Sequence, residues 1–209
     1  MYLTMKTRSK ISILFSVVAF VLLTACSGGA KHEHDAESGN DHDHASGSDA
    51  PQEASTPQFQ VDQKFQEQLA GVFASYVELK DALVASDAGK VRSEALQAKA
   101  SLAKVDMKLL SGAAHNDWMN WVKPIENSLT ELEAASDIEE QRKSFSTLSD
   151  NMYKSVKAFG LGGGEAFYEY CPMAFNNEGA YWLSDNDQVR NPYFGDKMLT
   201  CGVVKERLK

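Results

Sequence analysis

Two short strings near the C-terminus, Cys171-Pro172-Met173 and Met198-Leu199-Thr200-Cys201-Gly202, each place a thiol two or three residues from a thioether. Thiolate and thioether are soft donors that select Cu(I) and similar ions over magnesium or calcium. Hairpins that brought the two strings together would give a four-sulfur environment. His115 and Met119 lie one helical turn apart, so they share a face and offer a further donor pair. Two His-acid-His repeats, His32-Glu33-His34 and His42-Asp43-His44, have the composition of weak divalent-metal recruitment by imidazole with carboxylate support.

The elements around these residues change character along the chain. Lys6, Arg8 and Lys10 precede an apolar run from Ile11 to Leu23, too short to span a bilayer comfortably and ending in small residues. That is the pattern of a secretion signal over residues 1–25. Its end, Leu23-Thr24-Ala25-Cys26, resembles the lipobox of bacterial lipoproteins. The resemblance implies cleavage before Cys26 and a thioether-linked lipid on it, an anchor of several acyl chains. Ser27 rather than Asp follows Cys26, which in a diderm host implies the periplasmic face of the outer membrane. The formal charge is −8, and removing the signal takes away three cations and no acids. So acidic a chain is ill suited to nucleic acid.

From residue 26 to 58 large apolar side chains are nearly absent, which predicts a disordered tether carrying the four histidines. Beyond it the spacing becomes helical. Phe65, Leu69, Val72, Tyr76, Leu79 and Leu83 form one stripe, and Val91, Ala95, Ala98, Leu102, Val105 and Leu109 a second. Trp118, Val122, Ile125, Leu129 and Leu132 form a third, with Pro124 expected to kink it or to mark its first turn. Ser136-Asp137 followed by Glu139 and Glu140 opens a fourth, which ends at Gly160. Residues 59–209 are therefore expected to be one mainly α domain, α+β by description. The expected architecture is an antiparallel four-helix bundle with a small C-terminal β element built on Ala166–Tyr170, Ala180–Leu183 and Val203-Val204. Tyr168, Tyr170, Tyr181, Trp182, Tyr193 and Phe194 are expected to pack that element.

The residues alone leave two chemistries open. With Cys26 committed to lipid, Cys171 and Cys201 are the remaining cysteines, and in an oxidising compartment they would pair as a disulfide that staples a small β element. Met173 and Met198 would then be packing, and His115 a helix-start residue. Catalysis is a weaker reading, since nucleophile elbow, phosphate loop and paired-histidine zinc helix are all missing from the sequence. A Cys171–His115 dyad has no neighbour that would activate it. The expectation is a binding protein, not an enzyme, with no small-molecule substrate.

Four strings tip the balance. Tyr170-Cys171-Pro172-Met173-Ala174, Gly179-Ala180-Tyr181-Trp182-Leu183-Ser184, Arg190-Asn191-Pro192-Tyr193-Phe194-Gly195 and Lys197-Met198-Leu199-Thr200-Cys201-Gly202 resemble one domain-of-unknown-function family. So do Ala114-His115-Asn116-Asp117-Trp118-Met119 and Gln141-Arg142-Lys143-Ser144-Phe145. That family occurs as stand-alone bacterial lipoproteins and as C-terminal fusions on periplasmic adaptor subunits of copper/silver efflux pumps. The resemblance implies a ligand set of Cys171, Met173, Met198 and Cys201, with His115 a weaker addition, for Cu(I), silver or another soft ion. It implies buffering or delivery to an efflux adaptor as the task. Phe175 departs from the pattern, where a smaller or polar residue is expected.

Overall fold

The structure is a computed structural model that describes residues 54–209. The signal, Cys26 and the histidines at 32, 34, 42 and 44 lie outside the described residues. The described part is mainly helical, with a small sheet at its C-terminal end. Four long helices come first: α1 (Gln63–Val84), α2 (Ala88–Leu102), α3 (Gly112–Ala134) and α4 (Ile138–Phe159). α1 packs on α2, α2 on α3, α3 on α4, and α4 returns to α1. Among the described residues no helix is long and apolar enough to cross a membrane.

Short acidic caps start three of these helices. Asp62 accepts from the Lys64 N–H at 2.8 Å, Asp87 from Lys90 at 2.9 Å, and Asp137 from both Glu139 and Glu140 at 2.9 and 3.0 Å. Each satisfies helix-start donors that have no intrahelical partner. Gly160 closes α4 with φ of 72°, a backbone state that glycine adopts without steric cost. The second helix stops at Leu102 rather than near Gly112, where its stripe is expected to end, because Asp106 competes for the backbone. Its side chain caps a separate 3₁₀ turn at Met107–Leu109, and its N–H is taken by Gln68 Oε1 at 2.9 Å. The third helix starts earlier than its stripe suggested and continues unbroken through Pro124, so Pro124 is an interior residue and not a first turn.

The sheet follows α4. β1 (Ala166–Cys171) lies between β2 (Ala180–Ser184) and β3 (Val203–Leu208), all antiparallel, in the order β2-β1-β3. A distorted single turn, α5 (Ala174–Asn177), joins β1 to β2, and a 3₁₀ turn at Gly195–Lys197 interrupts the long return to β3. Tyr153, Tyr168, Tyr181 and Tyr170 stack in succession, with ring centroids 3.8, 4.7 and 4.4 Å apart. They join α4 to β1 and β2 through their rings, so these aromatics do pack the element.

The free edge of β2 is held by two phenols, Tyr76 of α1 and Tyr193 of the loop that follows β2. The Leu183 N–H donates to Tyr76 Oη at 3.0 Å, and Tyr193 Oη donates to the Tyr181 carbonyl at 2.6 Å. Tyr76 Oη also meets Ser149 Oγ at 2.7 Å, so α1, α4 and β2 share one buried polar point. A strand edge left bare would present unpaired donors and acceptors. On the other edge, Ser55 bridges Leu208 in parallel and its N–H reaches the Arg207 carbonyl at 3.0 Å. The last residues of the stretch read as tether thus lie along β3.

Removing the phenol oxygen strands a buried amide. Tyr76→Phe is expected to destabilise the fold by about 1–3 kcal/mol, seen as a lower urea midpoint with unchanged slope. A loss below about 0.5 kcal/mol would mean that the β2 edge is held by ring packing alone.

Candidate metal centre

Cys171 and Met173 stand at the end of β1 and just after it, and Met198 and Cys201 in the return loop before β3. Cys171 ends β1 and is fully buried. Cys201 follows a turn in which its N–H returns to the Met198 carbonyl at 3.0 Å. The two Sγ atoms are 3.0 Å apart, both as free thiols. Sharing a hydrogen bond with Cys171, together with burial, holds the Cys201 thiol up at about 11. Two thiolates on one ion, each at about 2.3 Å and at a tetrahedral angle, would stand about 3.8 Å apart. At 3.0 Å the pair is too close to share a metal without moving, and about 1 Å too far apart for a bonded disulfide, about 2.05 Å.

The thioethers behave differently. Met173 and Met198 stay 43% and 39% exposed and line one cleft of 420 Å³. Phe175, Asn176, Tyr193 and Phe194 complete its walls, and Glu139 and Lys143 of α4 stand at its rim. The wall at Phe175 is built from an unusual backbone. Phe175, Asn176 and Asn177 all have positive φ, at 50°, 58° and 72°. Asparagine tolerates that region; a bulky aromatic rarely does. The departure at Phe175 is thus a local strain that carries its ring into the cleft, where it meets Tyr193 edge-on at 5.3 Å. Gly179 ends the turn with φ of 82° under the Tyr170 ring, where any Cβ would strike the phenol.

Two buried polar side chains hold the return loop. Asn191 donates from Nδ2 to the Cys201 carbonyl at 2.8 Å and accepts the Tyr193 N–H on Oδ1 at 2.8 Å. Its own N–H reaches the Leu199 carbonyl at 2.8 Å. Arg142, 4% exposed, donates from Nε to the Pro192 carbonyl at 2.9 Å, from Nη2 to Ser86 Oγ at 3.0 Å and from Nη1 to Glu139 Oε1 at 2.6 Å. Gly195 fits because it has no Cβ: one would lie 2.6 Å from Ser86 Oγ and 2.8 Å from the Val84 carbonyl. Neither Asn191 nor Arg142 stood out as a site residue in the sequence. The signal was there for Arg142, which falls four residues after Ile138 and three before Phe145, on the apolar stripe.

His115 is not brought to the sulfurs. One turn after it, Trp118 packs on Phe65 and Phe159, at the end of α4 where that helix finishes. The cleft touches Glu139 and Lys143, at the end where α4 begins. Sixteen residues separate Lys143 from Phe159, about 24 Å of helix. Among the described residues no three His, Cys, Asp or Glu side chains cluster as metal ligands would; the Met173 and Met198 thioethers are donors of another kind.

Glu169 of β1 is fully buried with neither carboxylate oxygen hydrogen-bonded. Burial pushes it up to about 8, offset in part by the charge of Lys80, with Asp187 and Asp185 adding to the rise. Lys80 is itself 2% exposed and donates to Ser184 Oγ at 3.3 Å. Glu169 is thus protonated in the folded state over a range where the unfolded chain has lost that proton. Its contribution to stability falls as pH rises from about 4.5 towards 8, at a slope of at most about 1.4 kcal/mol per pH unit. Glu169→Gln is expected to flatten that slope in urea titrations across the range. An unchanged slope would show that Glu169 is ionised in the fold.

Neither a curated protein nor a solved structure matches the chain. A family model described as "Protein of unknown function (DUF3347)" matches residues 72–164. The match runs from within α1 to the turn before β1, so the four sulfurs lie beyond it. What the chain is similar to, over those helices, is a domain of unknown function.

Proposed function

We propose that this chain is an envelope lipoprotein that binds a soft metal ion, Cu(I), and buffers it or delivers it to a heavy-metal efflux system. Silver is the other ion that the donors suit. In this reading Cys26 carries the lipid at the periplasmic face of the outer membrane, and His32, His34, His42 and His44 recruit ions weakly on the tether. The helices, arranged as an antiparallel bundle, are the scaffold, and an efflux adaptor is the recipient. The observation that carries the reading is the convergence of Met173 and Met198, both exposed, on one cleft walled by aromatic rings. Methionines in a small domain usually find a core gap instead. Cys171 and Cys201 enter the same ligand set only by moving apart.

The 3.0 Å contact between Cys171 and Cys201 favours a second reading. There the pair is a disulfide staple, and the element is a docking module on an efflux or other envelope complex with no metal of its own.

Anaerobic Cu(I) titration against a chromogenic chelator separates the two, using the leaderless chain with Cys26→Ser. Met173→Leu and Met198→Leu are each expected to weaken binding tenfold or more, about 1.4 kcal/mol. Helical content should hold, since such swaps cost under about 1.5 kcal/mol. Full affinity in the double Met→Leu variant would remove the thioether site and leave the docking module.

A further inference from the structure

We propose that Cys171 and Cys201 are a two-electron donor that reduces Cu(II) to Cu(I) beside the methionine cleft and closes to a disulfide in doing so. This rests on the soft-metal reading of the cleft. It assigns the thiols a task separate from ligation, one that uses their contact with each other.

The geometry separates the four sulfurs into two pairs. The thioethers of Met173 and Met198 line an open cleft. The thiols sit 3.0 Å apart, about 1 Å from bonding distance. They are unequal in access, Cys171 being fully buried and Cys201 partly exposed. An aqueous ion meets Cys201 first, and Cys171 waits directly behind it. The backbone is held on both sides of the pair, Asn191 binding the Cys201 carbonyl and the ladder setting Cys171 opposite Ala180. Each thiol is also chained to a cleft residue, Cys171 two positions before Met173 and Cys201 three after Met198. A thioether cleft favours Cu(I) over Cu(II), whereas copper dissolved in an oxidising compartment is Cu(II). Reduction must therefore precede binding, and the only thiols of the described residues stand two and three positions along the chain from the methionines of the cleft.

The step balances with Cu(II) as the oxidant. Cys201 gives up its proton and binds Cu(II) through sulfur, and one electron passes to the metal, leaving Cu(I) and a sulfur-centred radical. That radical joins the Cys171 sulfur as Cys171 loses its proton. The new S–S bond carries one surplus electron, which a second Cu(II) removes. In sum, two thiols and two Cu(II) give one disulfide, two Cu(I) and two protons. The methionines are not consumed, and the cleft keeps one Cu(I). The reaction is a single turnover per reduced chain.

The test uses the leaderless Cys26→Ser chain, reduced, freed of reductant and held without oxygen. Excess Cu(II) is added, Cu(I) is read with a chromogenic chelator, and the product is examined by thiol count and mass. Two Cu(I) per chain, no remaining thiols and a monomer two hydrogens lighter are expected. Cys201→Ser, at the more exposed thiol, should yield one Cu(I) or fewer per chain and at least tenfold more slowly, with helical content unchanged. The double Met→Leu variant should still produce two Cu(I) but retain neither against a weak chelator. Thiols that survive Cu(II), or products that are disulfide-linked dimers, would overturn the donor assignment. The cleft is judged apart from it, by whether the chain oxidised beforehand binds added Cu(I). Binding without reduction sinks the donor alone; reduction without binding sinks the cleft and leaves the donor standing.

Discussion

The buried guanidinium of Arg142 is the constraint on which the C-terminal element depends. It reaches from the first turns of α4 to the Pro192 carbonyl and to Ser86 at the joint between α1 and α2. Three segments far apart in sequence therefore meet at one planar fork. Burying a cation is unfavourable unless its donors are matched, and here a carbonyl, a hydroxyl and the exposed Glu139 carboxylate divide them. Lysine in its place would supply the charge without the fork. The return loop would lose its register against the helices, and with it the placement of Met198 and Cys201.

The sheet is too small to stand alone, since three short strands need a surface to bury against. Its surface is the α1–α4 face, and what fixes the register is polar. Tyr76 and Tyr193 answer one donor and one acceptor of the β2 edge, while their rings pack on Phe145 at 5.2 and 5.9 Å. Each phenol thus contributes apolar area and a directed hydrogen bond at once. Burial supplies the energy, and the hydroxyls select one seating from many. Glu169 stands opposite Trp182 in the ladder, and Trp182 meets Tyr193 of the return loop edge-on at 5.9 Å; the carboxyl without a hydrogen-bond partner is held protonated there by its burial.

Much of the scaffold was legible because local chemistry determines it. Asp87, Asp137 and Gly160 bound their helices where caps belong, and the stripes from Phe65 to Leu83 and from Phe145 to Phe159 are buried as their spacing requires. The end of α2 was misplaced because Val105 and Leu109 keep an apolar spacing while Asp106 diverts the backbone, and a stripe cannot report a competing cap. In the site, the two strings name the four sulfurs, but that Cys171 meets Cys201 and Met173 shares a cleft with Met198 depends on the fold of the return loop. That the thiols and thioethers would separate into two pairs was not legible either, because it depends on the left-handed turn at Phe175–Asn177 and on Asn191, whose partners are distant carbonyls. His115 shows the converse: adjacency on a helix face says nothing about which end of the helix faces the sulfurs.

The family match stops at Gly164, so the reading of the sulfur element rests on its own chemistry rather than on likeness. X-ray absorption at the copper edge of the Cu(I)-loaded, disulfide-closed chain addresses that chemistry most directly. The account predicts a first shell of sulfur that disappears when Met173 and Met198 are both replaced by leucine. A shell of nitrogen or oxygen, unchanged by that replacement, would place the copper elsewhere and contradict it.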